Sequence, residues 1–306
     1  MEISKLNNNI TPSGTMAISN KARILKEQGK PVIGFGAGEP DFPTPSHVIE
    51  EVKIASENPA YHKYTAVGGL PILRDEISRT TKKYSNFEID PDNVVVTNGG
   101  KQAILTTFMS LLDPGDEVLI PSPYWTTYPE AVKISGGEPV IVNTDFENDF
   151  KVTVEQLEEK FTEKTKVLVW VSPSNPTGVV YSKEEAEEIY NWAFDKNIWI
   201  LSDELYEHLV YEGVTSPSPA TIDKNLEKTI VVNGVAKAYS MTGWRVGWIM
   251  GNNDVIGLSK KIQSHATSNV ANISQVAAYS ALKNGLDSTN EMKKAFDKRR
   301  NYALNL

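Results

Sequence analysis

The chain has 306 residues, with 31 Lys and Arg against 39 Asp and Glu, a formal net charge of −8 and no Cys. That balance argues against a general nucleic-acid binder, which would carry a basic field. With no thiols, disulfides, Cys-ligated zinc and Cys nucleophiles are excluded.

The opening residues, MEISKLNNNITPSG, lack the apolar core of a secretory leader. No apolar run approaches the ~20 residues of a membrane span. A cytoplasmic location without a membrane partner is therefore expected. Gly14 to Gln28 is amphipathic, and the Gly/Pro-rich segment GFGAGEPDFPTP (34–45) follows it. Residues 1–45 are read as an arm plus part of a smaller domain.

From there, short β-branched runs alternate with stretches of helical period. The runs are VVVT (94–97), EVLI (117–120), PVIV (139–142), KVLVWV (166–171), IWIL (198–201) and KTIVVN (228–233). Lys101 to Leu112 and Lys183 to Asp195 are the clearest helices, and Ser182 with Glu185 three residues later reads as a capping box. DPGDE (113–117) ends one helix and launches a strand. SPSNPTG (172–178), with two Pro and one Gly, excludes helix. This alternation predicts an α/β fold, a mostly parallel central sheet covered by helices on both faces. Residues 46–287 form the large domain on this reading. Residues 288–306, charged and helical in character, begin a connecting helix and a smaller α+β domain that is incomplete at its carboxyl end.

Ligands of open α/β sheets bind beyond the carboxyl ends of the strands. Three segments there carry candidate chemistry. Thr97 to Gln102 holds Gly99, Gly100 and Lys101 between a strand and a helix. Its glycines allow close backbone approach, and the helix start favours an anion such as phosphate. A plain tight turn is the alternative. Asp203, at the end of the strand NIWIL, could pair with a cationic ring nitrogen, bind a metal or cap a helix. Only four His are present, and they are scattered, so no metal site is expected. Lys237 follows an apolar strand among small residues, a setting that suits a Schiff-base amine. Arg245 lies eight residues on between glycines, and suits an oxyanion. An incidental Lys and Arg in a core loop is the competing view.

Taken in order, these segments resemble the class I, fold type I aminotransferases that use pyridoxal 5′-phosphate (PLP), and among them the bacterial aspartate aminotransferases of subgroup Ib. The resemblance spans about Thr11 to Leu306. It is carried by GAGEPDFPTP (36–45), KYTAVGG (63–69), GGKQAI (99–104), DPGDEVLIPSPYW (113–125), SPSNPTG (172–178), SDELYEHLVYEG (202–213) and NGVAKAYSMTGWRVG (233–247).

The resemblance implies a role for each matched position. Lys237 is the catalytic residue that holds the cofactor and shuttles the proton. Asp203 pairs with the pyridine nitrogen, and Tyr206 and Asn175 donate to the phenolic oxygen. Trp125 stacks on the ring; on residue type alone it is a core Trp. Gly99, Gly100, Lys101 and Arg245 form the phosphate cup. Tyr64 reaches the phosphate of a neighbouring subunit, which makes a homodimer with shared sites. Gly38, Trp125 and Asn175 meet the substrate α-carboxylate. Lys101 meets the side-chain carboxylate of an acidic substrate, which points to L-aspartate with 2-oxoglutarate; a solvated Lys is its alternative.

The match departs from the family in two places. Many relatives carry a serine three residues before the lysine, where this chain has Gly234. The family also has a later arginine for the α-carboxylate, and no residue up to Leu306 matches it. Most of the cofactor site and only part of the substrate site are thus expected. A non-catalytic PLP-binding or dimerisation protein, an aromatic or prephenate aminotransferase and a C–S lyase remain as alternatives.

Overall fold

A computed structural model of the chain describes residues 8–36 and 38–306. Residues 1–7, the first half of the opening segment MEISKLNNNITPSG, and Ala37 of the segment GAGEPDFPTP lie outside the described residues. In chain order the elements are α1 (Gly14–Glu27), α2 (Ser46–Ser56), α3 (Pro71–Tyr84), β1 (Val94–Thr97), α4 (Gly100–Leu111), β2 (Glu117–Ser122), α5 (Thr127–Ile134), β3 (Glu138–Asn143) and α6 (Val154–Lys160). They continue with β4 (Thr165–Val171), α7 (Lys183–Asp195), β5 (Trp199–Asp203), β6 (Thr229–Gly234), β7 (Gly247–Met250), α8 (Asn253–Ala266), α9 (Asn272–Lys283) and α10 (Asp287–Leu304).

The seven strands form one sheet in the order β1-β7-β6-β5-β4-β2-β3. Strands β6, β5, β4, β2 and β3 pair in parallel, as the alternating pattern requires. Strand β7 is the exception, antiparallel to both β1 and β6. The run GWIM that forms it was not among the expected strands. It has four residues and follows a Gly-rich loop, so its apolar signal is short.

Strand residues alternate between two faces, and each face has its own cover. Val95, Val118, Ile120, Val167, Val169, Leu201, Ile230, Val232 and Ile249 point to one side, where they pack with Ala103, Ile104 and Phe108 of α4, Tyr128 of α5 and Val255 of α8. The opposite side is divided. Val94, Val96, Val231, Trp248 and Met250 meet α2, α3 and α9. Leu119, Leu168, Trp170 and Ile200 meet α6 and α7. Burial on both faces accounts for the near-continuous apolar runs in the strands.

Helix boundaries follow local chemistry. Helix α7 begins at the Ser182–Glu185 capping box, with Ser182 Oγ accepting from Glu185 N–H and Glu185 accepting from Ser182 N–H. Thr153 and Gln156 build a second box at α6. Helix α1 has the expected period but buries none of its residues. It is fastened at its start, where the Thr11 N–H donates to Glu130 at 2.8 Å. No helix among the described residues is long and apolar enough to cross a membrane.

Candidate active site

The antiparallel β7 places its first residue at the carboxyl edge of the sheet, where Gly247 pairs with both Thr97 of β1 and Gly234 of β6. Three loops converge there. A Cβ on Gly247 would stand 2.7 Å from the Gly100 nitrogen, and one on Gly234 2.9 Å from the Val246 carbonyl. Backbone therefore packs on backbone, and no side chain fits at Gly234. That is the physical reason for a glycine at this position.

The turn after β1 is shaped by Gly99, whose φ of 79° lies in the left-handed region. A Cβ there would fall 2.6 Å from Arg245 Nη2, so the guanidinium lies directly over the turn. Arg245 donates to the carbonyls of Thr242 (2.9 Å) and Asn98 (3.3 Å) and remains exposed. Helix α4 starts at Gly100 with no side-chain cap. Its first amides, beside Arg245, form a cradle suited to an anion.

Lys237 lies in the turn that follows β6. Its Nζ donates to the Gly38 carbonyl at 2.5 Å and stands 5.7 Å from the Tyr206 ring centre. Burial holds the amine below the ordinary lysine range; Arg245 adds to this, while the carboxylates of Glu39 and Asp203 oppose it. The Gly38 segment is held in place by side chains. Ser240 Oγ donates to the Phe42 carbonyl, Thr44 donates to the Ser240 carbonyl at 3.2 Å, and Thr242 donates to Glu39 at 2.9 Å. Prolines at 40, 43 and 45 keep this segment out of regular structure.

Asp203 ends β5 and is only 4% exposed. Tyr128 OH donates to its Oδ2 at 2.8 Å, and the Leu205 N–H donates to Oδ1 at 3.2 Å. Burial pushes the carboxyl up to about 6, against these donors and the Lys237 charge. Burial beside Asp203 likewise raises the Tyr206 phenol to about 12, so Tyr206 is a donor at neutral pH. The sequence reading missed Tyr128. Its ring stands edge to face with that of Trp125, the centres 5.7 Å apart.

Lys101 lies 5.0 Å from the Trp125 ring. Loss of hydration and the Arg245 charge lower its amine. Asn175 and Tyr206 line one cavity of about 490 Å³, together with Tyr211 and Arg300. Lys101 lines a different one, of about 460 Å³, with Leu105, Tyr124 and the Thr11–Gly14 segment. Tyr64 is 90% exposed, and no hydrogen bond or ion pair joins it to the cluster among the described residues.

A buried carboxylate, an amine of lowered basicity and an anion cradle thus share one sheet edge. The sequence pattern of the family "Aminotransferase class I and II" matches residues 30–306. The chain belongs to that family. It is 54% identical to an aspartate aminotransferase of Streptomyces avermitilis over 95% of this chain and 72% of that protein. A Bacillus sp. aspartate aminotransferase is 47% identical, over 95% of this chain and 74% of its own length. The structure of a Thermus thermophilus aspartate aminotransferase with maleate superposes with a TM-score of 0.96 at 38% identity, covering 100% of this chain and 80% of that one.

Membership of this aminotransferase family implies pyridoxal 5′-phosphate as cofactor, and the donor set fits that group. Among the described residues Asp203 is a buried acceptor with no cation acting on it except the nearby amine, Lys237 is an amine of lowered basicity, and the Gly99 turn would lose its approach to Arg245 if a Cβ were added.

Proposed function

We propose that this aminotransferase exchanges amino groups between L-aspartate and 2-oxoglutarate, giving oxaloacetate and L-glutamate by a ping-pong route. The Lys237 amine carries the reading. It is the half-buried amine at this edge, and Asp203 and Arg245 both act on its charge. When bound, pyridoxal phosphate supplies an electron sink for the carbanion at the substrate Cα.

The chain's residues then take separate tasks. Lys237 would hold the cofactor and, as a free amine, hold or move a proton at the substrate Cα. Asp203, oriented by Tyr128, would pair with the ring nitrogen and favour its protonated form. Tyr206 and Asn175 would donate to the phenolic oxygen, and Trp125 would cover the ring face. Gly99, Gly100, Lys101 and Arg245 would hold the phosphate. Gly38, Trp125 and Asn175 meet the α-carboxylate, and Lys101 meets the distal carboxylate that distinguishes aspartate from apolar amino acids. Exposed Tyr64 serves the phosphate of a second subunit in a cytoplasmic homodimer. In domain terms, residues 46–287 carry the cofactor site, residues 1–45 form an arm and part of a smaller domain, and residues 288–306 begin the interdomain helix and the rest of that smaller domain.

The decisive experiment is a spectral titration. Purified protein is mixed with pyridoxal phosphate, the visible band of covalent attachment is recorded, and L-aspartate is added. The band is expected to form and then to convert to the amino form of the cofactor. It is expected to be absent in Lys237→Ala. An identical band in that variant overturns the assignment of Lys237, and a band that aspartate leaves unchanged overturns the substrate.

A further inference from the structure

Beneath the site lies a polar cluster that the proposed chemistry does not use. Glu207 has a side chain only 15% exposed and accepts two hydrogen bonds from different parts of the fold. Asn233 Nδ2 donates to its Oε1 at 2.6 Å, and Ser85 Oγ donates to its Oε2 at 2.7 Å. Asn233 in turn accepts from the Gly234 N–H at 2.7 Å. Ser85 caps the carboxyl end of α3, and Asn233 lies in β6. One carboxylate therefore ties a helix end and a strand end to the irregular loop after β5.

The chain neighbours of these residues are the reactive ones. Tyr206 immediately precedes Glu207, and Lys237 follows Asn233 by four residues. The loop around Tyr206 has few bonds of its own, among them Glu207 N–H to Glu204 C=O at 3.0 Å and Leu209 N–H to Tyr206 C=O at 2.8 Å. Gly234 has no side chain with which to anchor the Lys237 segment. A charged acceptor with both oxygens engaged is a strong and directional tether.

We propose that Glu207 is a positioning residue: by gripping Asn233 and Ser85 it sets the distance between the Tyr206 ring and the Lys237 amine. The geometry stands without a cofactor; only its meaning for catalysis rests on the function proposed above. Glu207 is faced by Tyr84 and Ser85 of α3, Asn233 of β6, Tyr239 of the following loop, and Glu204 and His208 of its own segment. The charges that act on Lys237 are instead those of Glu39, Arg245 and Asp203. The link from Glu207 to Lys237 runs through the Asn233 and Ser85 bonds and the chain that joins Asn233 to Lys237. A cavity of about 20 Å³ lies beside the cluster, lined by Glu207, Asn233, Tyr239 and Trp248, and is large enough for about one water. The Tyr239 hydroxyl and Trp248 Nε1 are buried and have no hydrogen-bond partner among the described residues. Truncation of Glu207 would enlarge this space, let the Tyr206 loop relax and rehydrate the amine.

The test uses the full, cofactor-free chain. The rate at which an amine-directed acylating reagent modifies Lys237 is followed against pH by mass spectrometry. Glu207→Ala is expected to raise the midpoint by about half to one pH unit, as desolvation is relieved. Glu207→Gln, whose amide can satisfy both Asn233 and the Ser85 hydroxyl, is expected to stay at the wild-type midpoint. An unshifted midpoint in folded Glu207→Ala overturns the proposal, as does an equal shift in Glu207→Gln, which would make charge the cause. If Glu207→Ala does not fold, Asn233→Ala and Ser85→Ala each remove one bond. A rise in either supports the proposal, and no shift in both overturns it. No cofactor or substrate enters this measurement, so its failure leaves the proposed activity standing, and failure to bind pyridoxal phosphate leaves this result standing.

Discussion

Tyr128 gives its hydroxyl hydrogen to Asp203 across 2.8 Å, joining the first turn of α5 to the end of the central strand β5. The donor favours the ionised carboxylate, which burial disfavours. Tyr128→Phe is expected to raise the Asp203 carboxyl further and to cost about 1 kcal/mol, the usual net worth of such a bond. The loss should be larger at pH 8 than at pH 5, because the bond matters most to the charged form. Urea midpoints at the two pH values check this.

Glu204 is buried next to Asp203 and accepts from Ser202 at 2.7 Å and Ser218 at 2.5 Å. Burial, with the charge of Glu207, pushes its carboxyl up to about 8. Both Glu204 and Asp203 keep protons in the folded state that the unfolded chain has released. Stability from these groups is therefore lost as pH rises from about 4 through about 8. Glu204→Gln keeps an acceptor for both serines and removes the charge. It is expected to stabilise the cofactor-free protein by about 1–2 kcal/mol at pH 9 and negligibly at pH 5. Equal effects at both pH values would show that Glu204 does not titrate in this range.

Gly99→Ala places a methyl group 2.6 Å from Arg245 Nη2 at a left-handed φ. Arg245 must move off the turn. Cofactor affinity is expected to fall about tenfold or more, each factor of ten being ~1.4 kcal/mol. The accompanying loss of stability should be about 1 kcal/mol. Fluorescence titration with pyridoxal phosphate, alongside a urea melt, separates the two effects.

Far from the edge, Asp223 is buried and accepts from the backbone N–H groups of Glu227, Lys228 and Thr229, each at 2.9 Å. Asp223→Ala would orphan all three at the entry to β6. A loss of about 2–4 kcal/mol is expected, with activity per folded molecule unchanged. A thermal melt and a turnover measurement on the same sample test the pair of statements.

Sequence pattern revealed what was local. Helix α7 occupies Lys183–Asp195 as its capping box and period required, and the apolar runs marked six of the seven strands. Strand β7 escaped because four residues after a glycine loop carry too little period to stand out. Spacing within loops brought Gly99, Asp203, Lys237 and Arg245 to attention, and the sheet edge unites them. Tyr128 and Glu39 were invisible for the opposite reason. Each acts across elements, Tyr128 on Asp203 from 75 positions away, and such pairs leave no mark in a single chain. The amphipathic period of α1 also showed its limit, since it forms the helix without burying any residue.

The reversed direction of β7 has a consequence for the order in which the molecule assembles. Asn98 and Arg245, which meet over the anion cradle, are 147 positions apart. They are brought together by the pairing of β1 with β7, its one neighbour in the sheet among the described residues. Contacts of such long sequence separation carry the largest loop-closure cost and form late. A folding chain can therefore bring Asp203, at the end of β5, beside the turn after β6 that carries Lys237 before it possesses a place for an anion. Return of anion affinity during refolding is therefore expected to lag the formation of the helices.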